Sequence, residues 1–122
     1  MRLTAEAVQR IRDAVGDDDL VLADILQSFV DEVDSLLEQL GSSAATRDTV
    51  TLRRVAHTLK SSCRDLGDQQ TGALCADLEE RSLKGETSDA DAMAAEISTA
   101  CRALKREVKE YVDSLLSTPP IS

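Results

Sequence analysis

From Leu20 to Leu40 the apolar residues Leu22, Ile25, Leu26, Phe29, Val33, Leu36, Leu37 and Leu40 recur at three- and four-residue spacing, with Asp and Glu on the intervening positions. At about 100° per residue they fall on one stripe of a helix. Such a stripe has to be buried against other apolar faces, and the remainder of the chain supplies them. After Thr4, which reads as an N-cap, Val8, Ile11 and Val15 mark a short helix that Gly16 ends. Asp17, Asp18 and Asp19 then place negative charge at the start of the long helix, where the helix dipole favours it. Gly41 is expected to end that helix, and "GSSAATRD" reads as a polar connection.

A third helix is expected over about 48–66, stopped by Gly67, and a fourth over about 69–83, with Leu74, Cys75 and Leu78 inward and Gly85 closing it. Beyond "GETSD", where Ser88 or Asp89 is the expected cap, the apolar series from Met93 through Ile97, Cys101, Leu104 and Val108 to Leu115 marks a fifth helix ending before Pro119 and Pro120. The expected fold is all-α: an antiparallel four-helix bundle with a short N-terminal capping helix. A chain of 122 residues suits one such domain, placed at residues 1–118, with 119–122 as a disordered tail. Aromatic residues make up only 2% of the chain, so the core must be built from Leu, Val, Ile and Ala.

Charge and cysteine usage narrow the function. A formal net charge of −9 argues against nucleic-acid binding, which needs a broad basic surface. No run approaches the roughly 18 apolar residues of a membrane span, and Met1 to Val15 mixes charged residues through its apolar positions rather than resembling a signal peptide. The expectation is a soluble, cytoplasmic monomer. Cys63, Cys75 and Cys101 each lie in a helical pattern beside apolar residues and read as buried free thiols. One histidine and no CxxC pair make a poor zinc ligand set.

That histidine stands in "RRVAHTLKSSC". With His57 at the zero of a helical wheel, Leu52, Val55, Leu59, Ser62, Cys63 and Leu66 cluster on the far side, at about 140° to 240°. Arg53, Arg54, Lys60 and Arg64 lie within about 60° of it, and Ser61 at about 40°. A lone histidine on a helix is usually an ordinary surface or core residue. Here an imidazole nucleophile is instead set among cations that would stabilise an arriving negative group, which is most of what phosphoryl transfer requires.

The run "AHTLKSSCRDLG" followed by "LCADLEE" resembles the signature of histidine-containing phosphotransfer (HPt) domains of two-component phosphorelays. In that family an A-H-x-L-K-G-S run leads to a Leu-Gly turn and then a Cys-x-x-Leu-Glu segment. The resemblance implies that His57 accepts the phosphoryl group and that Lys60 supports it. It places Glu79 where the family often has a polar residue near the imidazole; a carboxylate there holds the ring's tautomer but repels a phosphoryl group. The implied partners are response-regulator receiver domains, with a hybrid histidine kinase as a further one, and the implied function is relay of a phosphoryl group from one receiver to another. The chain would need no cofactor, the divalent metal coming from the receiver. With no glycine-rich nucleotide loop it should not use ATP or act as a kinase.

Arg53, Arg54, Ser61 and Arg64 would then face the partner, with Val8, Ile11 and Val30 as apolar contacts at the margin of the stripe. Ser61 replaces the family's usual Gly, and Asp68 and Thr71 stand where small apolar and Leu residues are commoner, which implies a wetter junction between the third and fourth helices. The alternative reading is a module of the same fold that binds a receiver or kinase and regulates it without being phosphorylated.

Overall fold

The computed structural model describes residues 1–117, and the expected tail at 119–122 lies outside them. The helices are α1 (Ala5–Val15), α2 (Asp19–Thr46), α3 (Thr49–Asp65), α4 (Gln69–Leu83) and α5 (Ala90–Leu116). Four begin at a side-chain cap, the expected Thr4 among them: Thr4 Oγ1 accepts from Ala7 N, Asp18 from Leu20 and Val21, Asp48 from Thr51 and Asp68 from Thr71, whereas Asp89, at the start of α5, makes no such bond. Each of the four satisfies backbone donors that a helix start otherwise leaves unpaired. Gly16 closes α1 in the left-handed conformation that glycine adopts without strain.

The second helix overruns its expected end. Gly41 lies inside α2, which continues to Thr46 and is capped by Arg47. Glycine costs about 1 kcal/mol relative to alanine in a helix, and three features offset it. Ala44 is fully buried, Ser43 is nearly so, and the Ser43 hydroxyl donates to the carbonyls of Gln39 and Leu40. Gly41 itself faces open space, so its missing side chain leaves no gap in the packing.

Helices α3 and α4 pack on one another as a hairpin, α2 packs along α5, and α1 lies against α2. Leu22, Leu26, Val33 and Leu40 of α2 meet Leu52, Val55 and Leu59 of α3, Leu78 of α4, and Ile97, Leu104 and Val108 of α5 in a single core. Cys63, Cys75 and Cys101, one from each of α3, α4 and α5, come together within it, with Cys63 Sγ 3.8 Å from Cys101 Sγ. The hydrogen bond each makes with Cys63, together with burial, pushes the thiols of Cys75 and Cys101 up, so both stay protonated and pack as small hydrophobes.

The α3–α4 junction is a closed polar cluster rather than a wet one. Asp68 and Thr71 are buried, Thr71 Oγ1 donates to Asp68 Oδ2 at 2.6 Å, and Arg2 reaches both, at 3.3 Å to Asp68 and 3.0 Å to Thr71. The sequence departs from the family at two positions that satisfy each other, with the N-terminal segment as lid. Gly67 makes this closure possible: its φ is +92°, and a Cβ there would sit 2.1 Å from Thr4 Oγ1.

Candidate functional site

Helix α3 buries Leu52, Val55, Ala56, Leu59 and Cys63, the face the wheel turns inward, and Leu66 just beyond its end. His57 is on the opposite face with its side chain 60% exposed. Helix α4 brings Glu79 up beside it. Glu79 Oε2 lies 2.7 Å from His57 Nδ1, and Oε1 lies 2.6 Å from Lys60 Nζ. One carboxylate thus bridges two residues a turn apart on the neighbouring helix. An ionised carboxylate can only accept, so Nδ1 carries a ring proton, and the tautomer this selects has its lone pair on Nε2, turned away from Glu79.

Glu79 has reason to be ionised. Partial burial works to raise its carboxyl, but hydrogen bonds from Lys60 and His57 outweigh this and hold it below its ordinary value of 4.5. A carboxyl lowered in the folded state adds stability that is present above its unfolded pKa and lost as pH falls through the folded value. Glu79→Gln should therefore flatten the acid side of the stability curve. Urea unfolding of both proteins between about pH 5 and pH 3 should show the wild type losing more stability than the variant on acidification. Parallel curves would mean that the bridge contributes nothing.

The cations are not arranged as one ring. Lys60 is paired with Glu79, Arg54 donates to the amide oxygen of Gln39 on α2 at 3.1 Å, and the stem of Arg64 lies over Gly72 of α4. Arg53 and Arg54 line, with His57, a groove of about 660 Å³ between α3 and α4 whose walls include the exposed apolar residues Val50 and Leu83. Ser61 is exposed one turn beyond the histidine.

The apolar contacts require a correction. Val8 and Val30 are 6% and 9% exposed and belong to the core. Ile11, half-buried, instead lines a second groove of about 410 Å³ with Val15, Ile25 and Phe29. Both Ile25 and Phe29 are expected core positions of the stripe, and Phe29, half-buried, does pack against the core. Ile25 is 42% exposed, and with Leu20 and Val21 it leaves the start of α2 apolar on the outside. The stripe carried the signal: it is wider than one bundle seam can cover, and Ile25 and Phe29 form its edge.

An all-helical bundle that presents one exposed imidazole, oriented from behind and open at Nε2, suits group transfer rather than enclosure of a substrate. The Hpt domain family model matches residues 24–116, and the chain belongs to that family. Hpt domains are phosphocarrier modules rather than catalysts and serve phosphotransfer in two-component signalling, with receiver domains and histidine kinases as their class of partner. A stretch of 48 residues is 42% identical to the Sensor protein TorS of Escherichia coli (strain K12), covering 39% of this chain and 5% of that protein, so the chain spans a small part of that relative's length. No solved structure matches the chain. Among the described residues no helix is long and apolar enough to cross a membrane.

Proposed function

We propose that Nε2 of His57 takes a phosphoryl group from the aspartyl phosphate of one response-regulator receiver domain and passes it to the aspartate of another. The N–P bond forms as the acyl-phosphate O–P bond breaks, the receiver's carboxylate leaves, and Nδ1 keeps its proton throughout against Glu79. The observation that carries this reading is the pairing of that Nδ1 contact with a side chain that is 60% exposed. Lys60 contributes by holding Glu79 in place. The receiver supplies the metal and its own acid cluster; this chain supplies half of the reacting site, with the Ile11, Ile25 and Phe29 groove as apolar footing and the exposed arginines steering approach.

Incubation with a labelled, phosphorylated receiver tests the reading. Label should move to this chain in an acid-labile form, as a phosphoramidate requires. Binding with no movement of label would make the chain an interaction module instead. The same assay probes Ser61, which stands beside the path of approach. Ser61→Gln should slow transfer at least tenfold by keeping the receiver's aspartate from reaching Nε2, an effect of the size expected when reacting atoms are displaced by about an ångström. Ser61→Gly should match or exceed the wild type. Equal rates for the Gln and Gly variants, with unchanged circular dichroism, would rule out close approach over this turn.

A further inference from the structure

A phosphoryl group on Nε2 carries two negative charges on its oxygens, and the ring that keeps its Nδ1 proton offsets only one of them, at the surface of a protein already at −9, so something must offset the rest. The cation three residues after the histidine is poorly placed to do so. Lys60 Nζ is 2.6 Å from Glu79 Oε1, and that carboxylate is also against His57, so a group drawn toward Lys60 is drawn toward a negative charge as well. From Nε2 the Lys60–Glu79 pair presents almost no net charge.

The turn before His57 is different. Arg53 and Arg54 precede it by four and three residues, the spacings that share a helix face. Helical side chains lean toward the N-terminus of their helix, the arginines as much as the imidazole, so it is the groove that brings the three together. Both arginines line the groove with His57, and Glu79, already paired, is the one acidic residue in that lining. Neither arginine makes a salt bridge among the described residues. Arg54 is oriented by a neutral partner, Gln39, which fixes the guanidinium without cancelling its charge. A guanidinium is planar, permanently charged, weakly hydrated and able to give two parallel hydrogen bonds to phosphoryl oxygens.

Resting on His57 as the acceptor, we propose that Arg53, with Arg54 beside it, forms an anion site in the α3–α4 groove that holds the phosphoryl group carried by His57, while Lys60 serves to position Glu79. The charged groups facing that phosphoryl group are then Arg53, Arg54 and Lys60 from α3 and Glu79 from α4, with neutral Gln39 from α2 behind Arg54.

Phosphoramidate, a small donor that needs no partner protein, allows a direct test on the full chain. Nε2 attacks phosphorus, the N–P bond to the ammonium group of the donor breaks, ammonia leaves with the protons it already holds, and Nδ1 keeps its own. The phosphoryl group on His57 is then titrated by 31P NMR. Adjacent guanidinium charge favours the dianion, so Arg53→Met/Arg54→Met should raise the titration midpoint by about half a pH unit or more. Arg53→Lys should keep most of the wild-type value. An unchanged midpoint in the double-arginine variant overturns the site. Absence of a phosphohistidine signal in the wild type, or its persistence in His57→Gln, overturns the acceptor assignment itself and this site with it.

Discussion

His57→Gln should accept no phosphoryl group and should fold as the wild type does. The side chain is 60% exposed on the face of α3 opposite Leu52, Val55 and Leu59, so its replacement removes no core contact. Its one strong partner is Glu79, and Glu79 keeps Lys60 when the imidazole is gone. Exposed pairs of this kind contribute about 1 kcal/mol or less, so the urea midpoint should move little. Transfer, by contrast, has no substitute nucleophile: an amide nitrogen lacks the available lone pair that Nε2 presents, and Ser61 would form an acid-stable ester instead of a phosphoramidate. The measurement is label transfer from a phosphorylated receiver, followed by acid treatment. Acid-labile label on a folded His57→Gln protein would sink the assignment.

Cys63→Asp should damage the fold itself. Cys63 has no exposed surface and sits where α3, α4 and α5 converge, its sulfur 3.8 Å from that of Cys101. A carboxylate there would face two thiols and aliphatic side chains, repelled by Asp68 more than attracted by Arg2, and an unpaired buried charge costs on the order of 3–5 kcal/mol. Domains of this size have a total stability of about 5–15 kcal/mol, so much of it would be lost. Cys63→Ala separates charge from volume, since a small cavity should cost only about 1 kcal/mol. Urea unfolding of the three proteins makes the comparison. A midpoint for the Asp variant close to that of the Ala variant would mean that the junction of the three helices admits water.

Features set by local geometry were legible in the chain. A period of 3.6 residues is a property of one helix, so the wheel separated His57 from Leu52, Val55, Leu59 and Cys63 correctly without knowledge of any neighbour. The same holds for Thr4, read as an N-cap, whose side chain reaches a backbone donor three residues away. The exposed imidazole and its nearby cations were legible for the same reason, since Arg53, Arg54, His57 and Lys60 share a face by spacing alone.

Everything that depended on which helix lies beside which was decided by the tertiary structure. Gly41 is a poor helix former whose weak local preference was overruled by packing around Leu40, Ser43 and Ala44. Val8 and Val30 are core residues while Ile25 stays 42% exposed beside a groove that Ile11 and Phe29 line, because the packing of the helices decides which part of a broad stripe is covered. Asp68, Thr71 and Arg2 form one cluster across about 70 residues of chain, where sequence distance carries no information about contact. Glu79 shows the division most clearly. Its position in the chain identified a polar residue near the histidine, but only the packing of α4 on α3 gave its two oxygens separate partners, fixing the proton on Nδ1 and neutralising Lys60. Helical periodicity is written in each segment, whereas the register between segments is a balance of many side-chain contacts at once.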